Sequence, residues 1–394
     1  MLSPETKEFI KKHKNEDPRA LALQGKRYPS VDIREAVTQI EGWQAAKEKL
    51  PTWAETGGII YPPRISMEQC SSEPTALYKA SIAKGGRLTD LTGGFGIDCS
   101  YMSRGFREAT YIERNSILCN IAKENFTLLG LGNINIINGN SENILPTLPK
   151  QDWIFIDPAR RAFDGRKVVA LSDCEPDVTA LENLLLEKAA KVMVKCSPML
   201  DITAATRQLS SIEAVHIIAV NNECKELLFI LGKGNGENTQ IECVNIQKGS
   251  CCSFAFTLNE EANSTVTYSD TIGKYLYEPN AAIQKGGCHR TLSHKLQIDK
   301  LHPNSQLYTA DRLIENFPGR IFEVERIFGF SKADIKQLQA LKKANITVRN
   351  FPESVQTLRK KLKLAEGGEE YLFATTLYNG EKALVLCRKS HTSK

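Results

Sequence analysis

The stretch Arg87-Leu-Thr-Asp-Leu-Thr-Gly-Gly-Phe-Gly-Ile-Asp-Cys99 decides the fold. It reads as a short buried strand that runs straight into a glycine-rich turn and then into a helix. With glycine at 93, 94 and 96, the backbone can wrap closely round a flat or polar ligand. Asp90 falls at the carboxyl end of the strand, the edge at which open α/β sheets bind their ligands.

Downstream of this turn, strand-like and helical segments alternate to about Gly232. The strand-like runs are Arg87–Leu91, Ala109–Ile112, Ile134–Ile137, Trp153–Ile156, Lys191–Lys195, Ala214–Val220 and Glu226–Leu231. Helical stretches over 97–104, 116–129 and about 176–189 separate the earlier ones, which implies a mostly parallel, doubly wound sheet. Only Asn221-Asn222 lies between the last two runs, so they are expected to form an antiparallel hairpin at one edge.

Upstream, residues 1–82 read as helical. Asp17-Pro18 and Asp32 mark helix starts, and Ile33, Val37 and Ile40 keep helical spacing until Pro51. Gly57-Gly58 and Pro62-Pro63 mark an irregular connection. The polar stretch Met67–Thr75, just before a helix over 74–83, is short enough to fold back over a ligand at Gly93 or simply to cap that helix.

A second motif, Trp153-Ile-Phe-Ile-Asp-Pro-Ala-Arg-Arg161, closes the fourth strand. Asp157-Pro158 there offers a carboxylate and backbone carbonyls on a turn that proline makes rigid. Arg160 and Arg161 supply paired donors suited to phosphate or carboxylate.

Beyond a linker at 233–239, residues 240–318 read as a small α+β module. Residues 319–394 read as βαβαββ, with a capping box at Ser331-x-x-Asp334 and a hairpin at Asn379-Gly380. The second helix of this last module carries Arg359, Lys360, Lys361 and Lys363, with Arg349 nearby in sequence. Residues 240–394 hold 22 Lys+Arg against 16 Asp+Glu, so the whole basic excess of a chain of net charge +5 lies there. That distribution fits a polyanionic partner or a solvated basic surface.

At 394 residues, 41% apolar and 25% charged, the chain has ordinary multi-domain globular composition. The charged start from Glu5 to Lys14 is unlike a signal peptide, and no apolar run reaches membrane-spanning length. Eleven cysteines without a CxxC pair point to reduced thiols in a cytoplasmic protein. His289, His294 and His302 lack a third ligand at a recognisable spacing, so no metal site is expected.

The glycine turn after strand one, Glu113 ending strand two and Asp-Pro-x-Arg ending strand four together resemble class I S-adenosylmethionine-dependent methyltransferases. The order of the parts is similar to that of a bacterial family of such enzymes with a THUMP-like carboxyl-terminal domain. The resemblance runs through Met67–Ala80, the Asp-Pro-Ala-Arg-Arg stretch and Asn350–Leu364. It implies an α/β fold: a Rossmann-like seven-stranded sheet over 83–235, an N-terminal helical region over 1–82, and α+β modules over 240–318 and 319–394, the last THUMP-like.

It also implies S-adenosylmethionine as cofactor and, since THUMP domains accompany RNA modification, tRNA or rRNA as partner. Thr92, Gly93, Gly94 and Gly96 would approach the methionine part of the cofactor, with Asp90 near its ammonium. Glu113 would accept from the ribose hydroxyls. Where many relatives place an acid after strand three, this chain has Asn138-Gly-Asn-Ser141, and Asn140 could accept from the adenine amino group. Asp157, Pro158 and Arg160 would meet the acceptor. Arg161, Arg349, Arg359, Lys360, Lys361 and Lys363 would contact RNA.

Cys196, in Val194-Lys-Cys-Ser-Pro198, carries two readings. RNA uracil-5 methyltransferases are similar in pairing an Asp-Pro motif with a nucleophilic cysteine after strand five, where Lys195 could lower the thiol pKa; alternatively Cys196 packs in the core. Three other functions compete with this reading. A nicotinamide oxidoreductase needs a third glycine where Cys99 stands. A nucleic-acid binder with a degenerate catalytic domain would have damaged motifs, yet Asp90, Glu113 and Asp157 are intact. A methyltransferase acting on a protein or small molecule would share all these residues.

Overall fold

The computed structural model describes residues 2–160, 170–233, 238–248 and 250–390, with Arg160 described by its backbone. The chain divides into two compact units, residues 1–213 with 227–236, and residues 214–226 with 237–394.

In the first unit the helices α1 (Pro4–His13), α2 (Pro18–Ala22), α3 (Ile33–Lys49), α4 (Pro51–Glu55), α5 (Arg64–Gln69) and α6 (Glu73–Ile82) precede the sheet. Their starts are set as the sequence predicts: the Asp17 and Asp32 side chains accept from the backbone N–H groups of Arg19 and Glu35, 3.0 Å away in each case. The irregular connection at 57–63 is held by two side-chain amides. Gln39 exchanges two 2.8 Å hydrogen bonds with the backbone of Tyr61. Asn125 does the same with Ile60 at 2.9 Å.

Five parallel strands follow: β1 (Gly85–Asp90), β2 (Phe106–Glu113), β3 (Ile134–Asn138), β4 (Gln151–Ile156) and β5 (Ala189–Cys196). They are ordered β3-β2-β1-β4-β5. Helices α7 (Ile97–Met102), α8 (Ser116–Leu128), α9 (Ser141–Ile144), α10 (Val178–Lys188) and α11 (Ile202–Gln208) intervene.

Strand β6 (Ile212–Val220) turns back through Asn221 and Asn222, whose φ values of 50° and 63° are those a two-residue hairpin requires. It leads into β7 (Glu223–Leu231), which lies antiparallel beside β5. The expected hairpin is therefore present, but it is not an edge. In the second unit β8 (Gln240–Gln247) pairs parallel with β6, and β9 (Ser250–Thr257) pairs antiparallel with β8. The apolar run at 241–246 covers hydrogen-bonding groups that β6 would otherwise expose.

The second unit also contains α12 (Leu258–Asn263), β10 (Tyr275–Pro279), α13 (Ala281–Gly286), α14 (His289–Leu296), β11 (Asp299–Lys300), β12 (Tyr308–Ala310), β13 (Gly319–Phe328), α15 (Lys332–Gln339), β14 (Asn345–Arg349), α16 (Val355–Leu362), β15 (Glu370–Thr376) and β16 (Lys382–Lys389). The βαβαββ order predicted over 319–394 is present over 319–389. Ser331 and Asp334 make both bonds of their capping box. At Asn379-Gly380 the pairing continues to Leu377, which donates to Glu381, and Gly380 takes φ 87°, so the turn is three residues long.

A seven-stranded sheet, β11-β12-β10-β13-β16-β15-β14, joins what the sequence reading divides at 318/319. Strand β10 pairs antiparallel with β13, and Glu278 on β10 is buried between Arg320 and Arg349. No helix among the described residues is long and apolar enough to cross a membrane.

Candidate active site

Strand β1 ends at Asp90, and the chain then reverses over its carboxyl edge. The Leu91 N–H donates to Phe155 on β4, and the Gly93 N–H donates to Ile112 on β2, both at 2.9 Å. The glycine turn is thereby pinned to the two strands that flank it. A Cβ on Gly93 would lie 2.2 Å from the Tyr111 ring, and one on Gly96, at φ 86°, would lie 2.7 Å from Phe126. Gly94 differs: at φ 55°, its Cβ would meet nothing nearer than the Thr92 carbonyl at 3.8 Å. Two of the glycines are needed by the fold, and Gly94 borders open space.

Phe95 anchors the turn from the other side. Its ring meets Trp53 edge-on at 5.0 Å between centroids and stands 6.3 Å from Tyr61. Tyr111 donates its hydroxyl proton to the Gly94 carbonyl at 2.6 Å. The N-terminal helices thus form part of the floor beneath the turn, in one apolar cluster that also holds Met67, Tyr101 and Phe126.

Glu113 lies at the end of β2, half-buried. One of its oxygens accepts from the Gly94 N–H at 2.9 Å and the other from the Asn115 N–H at 2.8 Å. Asp90 is buried and accepts from the Thr92 N–H at 3.0 Å. Burial pushes its carboxyl well above the ordinary range, against that hydrogen bond, and the nearby Asp98 and Asp157 add to the rise. Asn140 is exposed, and its side-chain oxygen caps α9 by accepting from Glu142 at 2.8 Å.

The second motif meets the first directly. The Asp157 N–H donates to the Thr92 hydroxyl at 2.7 Å, so the Asp-Pro turn and the glycine turn are fastened together. Pro158 is buried next to it. Ala159 and Arg160 pair by backbone with Glu175 and Cys174. Arg161 lies outside the described residues. Cys196 is 9% exposed, and burial pushes its thiol upward, with Asp157 adding to the rise and Lys195 only partly opposing it.

Sequence reasoning missed a buried charge cluster behind Asp157. The Lys195 ammonium lies 2.5 Å from Asp157, 3.5 Å from Asp98 and 3.2 Å from the Ser71 hydroxyl. Lys79, fully buried on α6, lies 3.1 Å from Asp98 and 3.1 Å from Ser71. Ser71 donates to Asp98 at 2.7 Å. Burial alone would raise the Asp98 carboxyl; the two ammonium groups and Ser71 reverse this and hold it below its ordinary range. Asp157 stays above its ordinary range because burial outweighs Lys195. A lysine in line with Thr75 and Ala76 on the buried face of α6 was the available signal. Among the described residues no group of His, Cys, Asp and Glu could hold a metal ion.

The expected basic residues lie in the second unit. Arg349 pairs with buried Glu278 at 2.6 Å. Arg359 donates to the Ala344 and Leu364 carbonyls, and Lys361 pairs with Glu353 at 3.0 Å and lies over the Phe330 ring at 4.1 Å. Lys360 and Lys363 are exposed.

Three family descriptions match the chain: "THUMP domain-like" over residues 319–389, "ferredoxin-like domain" over 275–318, and "Conserved hypothetical protein 95" over 77–217. Among solved structures, the chain is similar to a "putative methyltransferase" from Porphyromonas gingivalis W83. The identity is 36%, the match covers 98% of both chains, and the TM-score is 0.89. It is also similar to M. capricolum TrmK bound to S-adenosyl-homocysteine, at 13% identity over 41% of this chain and 68% of that one, with a TM-score of 0.31. A Streptococcus thermophilus rRNA methylase matches at 11% identity over 41% of this chain and 94% of that one, again with a TM-score of 0.31. No match is found among the curated proteins.

Proposed function

Because the chain belongs to the family of class I methyltransferases that carry a THUMP-like carboxyl-terminal domain, we propose that it is a cytoplasmic enzyme that uses S-adenosylmethionine to methylate a base in tRNA or rRNA. The observation that carries the cofactor half is Gly94. It is the one glycine of the turn whose missing side chain leaves open space, and it is bonded to the acid that ends β2.

The residues present fit that cofactor. Buried Asp90 suits the methionine ammonium, whose positive charge would favour the ionised carboxylate. The Glu113 oxygens keep lone pairs for the ribose hydroxyls beyond their two backbone donors. Thr92 and Gly93 line the backbone between them, with Gly96 turning the chain into α7. The Asn140 oxygen, although it caps α9, retains a second lone pair for the adenine amino group. When bound, the cofactor supplies a methyl group on a sulfonium.

Methyl transfer is an in-line displacement, so the work of the protein is positioning and water exclusion. Asp157 and the Pro158 carbonyl orient the acceptor, and Arg160 and Arg161 offer donors to its phosphates. Thr92 holds Asp157 at a fixed place beside the glycine turn. Cys196, buried with a raised thiol, is assigned to packing. Lys360 and Lys363, together with whatever Arg349, Arg359 and Lys361 retain beyond their internal partners, meet the RNA.

Calorimetry with S-adenosylmethionine and with NADH tests the cofactor, on wild type and on Gly94→Arg. Binding of the first alone, lost in the variant, is expected; binding of NADH instead would overturn the reading. Labelled-methyl transfer to bulk tRNA, rRNA, protein extract and small-molecule extract tests the acceptor. Label in RNA is expected, and label only in another fraction would replace RNA as the partner.

A further inference from the structure

Lys195 stands on the penultimate position of β5, the strand beside β4 in the sheet, and its ammonium reaches under the Asp-Pro turn that follows β4. Among its acceptors are Asp157 at 2.5 Å, the Ser71 hydroxyl at 3.2 Å and Asp98 at 3.5 Å. Its side chain is 10% exposed, whereas the Asp157 side chain is 35% exposed. The cation is thus hidden, and the carboxylate it holds still opens outward. We propose that Lys195 is a positioning residue for methyl transfer, fixing the Asp157 carboxylate in one orientation and in its ionised form so that it accepts, and never donates, a hydrogen bond toward the acceptor.

The surroundings support this role. Among the described residues, the other charged groups near Asp157 are Asp98 on α7, Lys79 on α6 and Asp90 on β1. Lys79 lies 3.1 Å from both Asp98 and Ser71 and opposes the protonation of Asp157 less strongly than Lys195, which lies 2.5 Å from that carboxylate. Burial works to protonate Asp157, and Lys195 is the strongest influence opposing it. Ser71 explains why the polar stretch at 67–75 lies where it does. It accepts from both lysines and donates to Asp98, so the segment before α6 braces Lys195.

The proposal rests on the methyl-transfer reading for the side of the pocket Asp157 faces, but its test does not need a substrate. The Asp157 carboxyl is followed by difference infrared spectroscopy across pH, its band assigned by its loss in Asp157→Asn. Removing a cation in direct contact shifts a carboxyl upward by about 1–3 pH units. The titration of Asp157 is expected to move up by that amount in Lys195→Met and to return near the wild-type position in Lys195→Arg. If Lys195→Met fails to fold, Lys195→Gln, which keeps a donor for Ser71, takes its place with the same expected shift.

An unchanged titration in the neutral variants overturns the proposal, and so does a Lys195→Arg protein that titrates like Lys195→Met. The acidic limb of labelled-methyl transfer to bulk tRNA should move up in step. Calorimetry with S-adenosylmethionine keeps the two readings apart. Wild type that fails to bind it defeats the methyl-transfer reading, whereas normal binding with an unmoved Asp157 defeats only the role of Lys195.

Discussion

Glu113 accepts a hydrogen bond from the Gly94 N–H at 2.9 Å, so the last residue of β2 clamps the turn that leaves β1. The same carboxylate proposed to bind ribose therefore also shapes the loop that would receive the rest of the cofactor. The glycines of that loop separate structure from binding. Gly93→Ala drives a methyl group to 2.2 Å from the Tyr111 ring. Overpacking of that kind costs about 1–3 kcal/mol, and both the melting temperature and cofactor affinity should fall. Gly94→Ala has room for its methyl group but must hold it at φ 55°, a left-handed conformation that costs an L residue about 1–2 kcal/mol. Its melting temperature should therefore fall by no more than that of Gly93→Ala, while calorimetry with S-adenosylmethionine should show at least about a tenfold loss, or about 1.4 kcal/mol.

Asp90 makes the opposite trade. Its carboxyl is raised in the folded protein by burial, so the unfolded chain gives up this proton first as pH rises. Stability is therefore lost between the ordinary aspartate value, about 3.9, and the higher folded value. Asp90→Asn removes that loss. Thermal melts should show the variant more stable than wild type at pH 7, with the gain gone below the ordinary aspartate range, while S-adenosylmethionine binding at pH 7 weakens.

Cys196→Ala should keep methyl transfer to bulk RNA at the wild-type rate. The change leaves a small void in a buried site, which costs about 1 kcal/mol, so the melting temperature drops slightly. A thousandfold loss of activity in a folded variant would restore the covalent mechanism.

On the second unit, Lys360→Glu with Lys363→Glu removes two exposed cations without touching Glu278, Glu353 or the Ala344 and Leu364 carbonyls. Bulk tRNA should bind more weakly, and the slope of log affinity against log salt should flatten by about two. Arg359→Ala should instead act mainly on the melting temperature, because Arg359 donates to the Ala344 and Leu364 carbonyls.

The first unit was legible because its strands are short apolar runs stopped by glycine, asparagine or Asp-Pro, and several of its helices begin at side-chain caps. The charge cluster was not. A lysine in mid-helix such as Lys79 reads as solvated, Asp98 reads as a first-turn acid favoured by the helix dipole, and Lys195 reads as a neighbour of Cys196. Successive residues of a strand face opposite sides, and it is Asp157, from the next strand, that Lys195 meets. Strand β10 escaped notice because Glu278 and Pro279 argue against a strand. Glu278 is tolerated there because Arg320 and Arg349, distant in sequence, neutralise it. Arg349 shows the same limit from the other side, since its charge is legible but its internal partner is not.

That buried glutamate also bears on how such chains are inherited. The family descriptions meet at 318/319, yet Glu278 lies before that junction and both of its arginines lie after it. Splicing a foreign segment in at 318/319 would leave a carboxylate stranded in the interior and a strand of the sheet without its neighbour. The two matched regions can therefore be exchanged between proteins only together, as one heritable block.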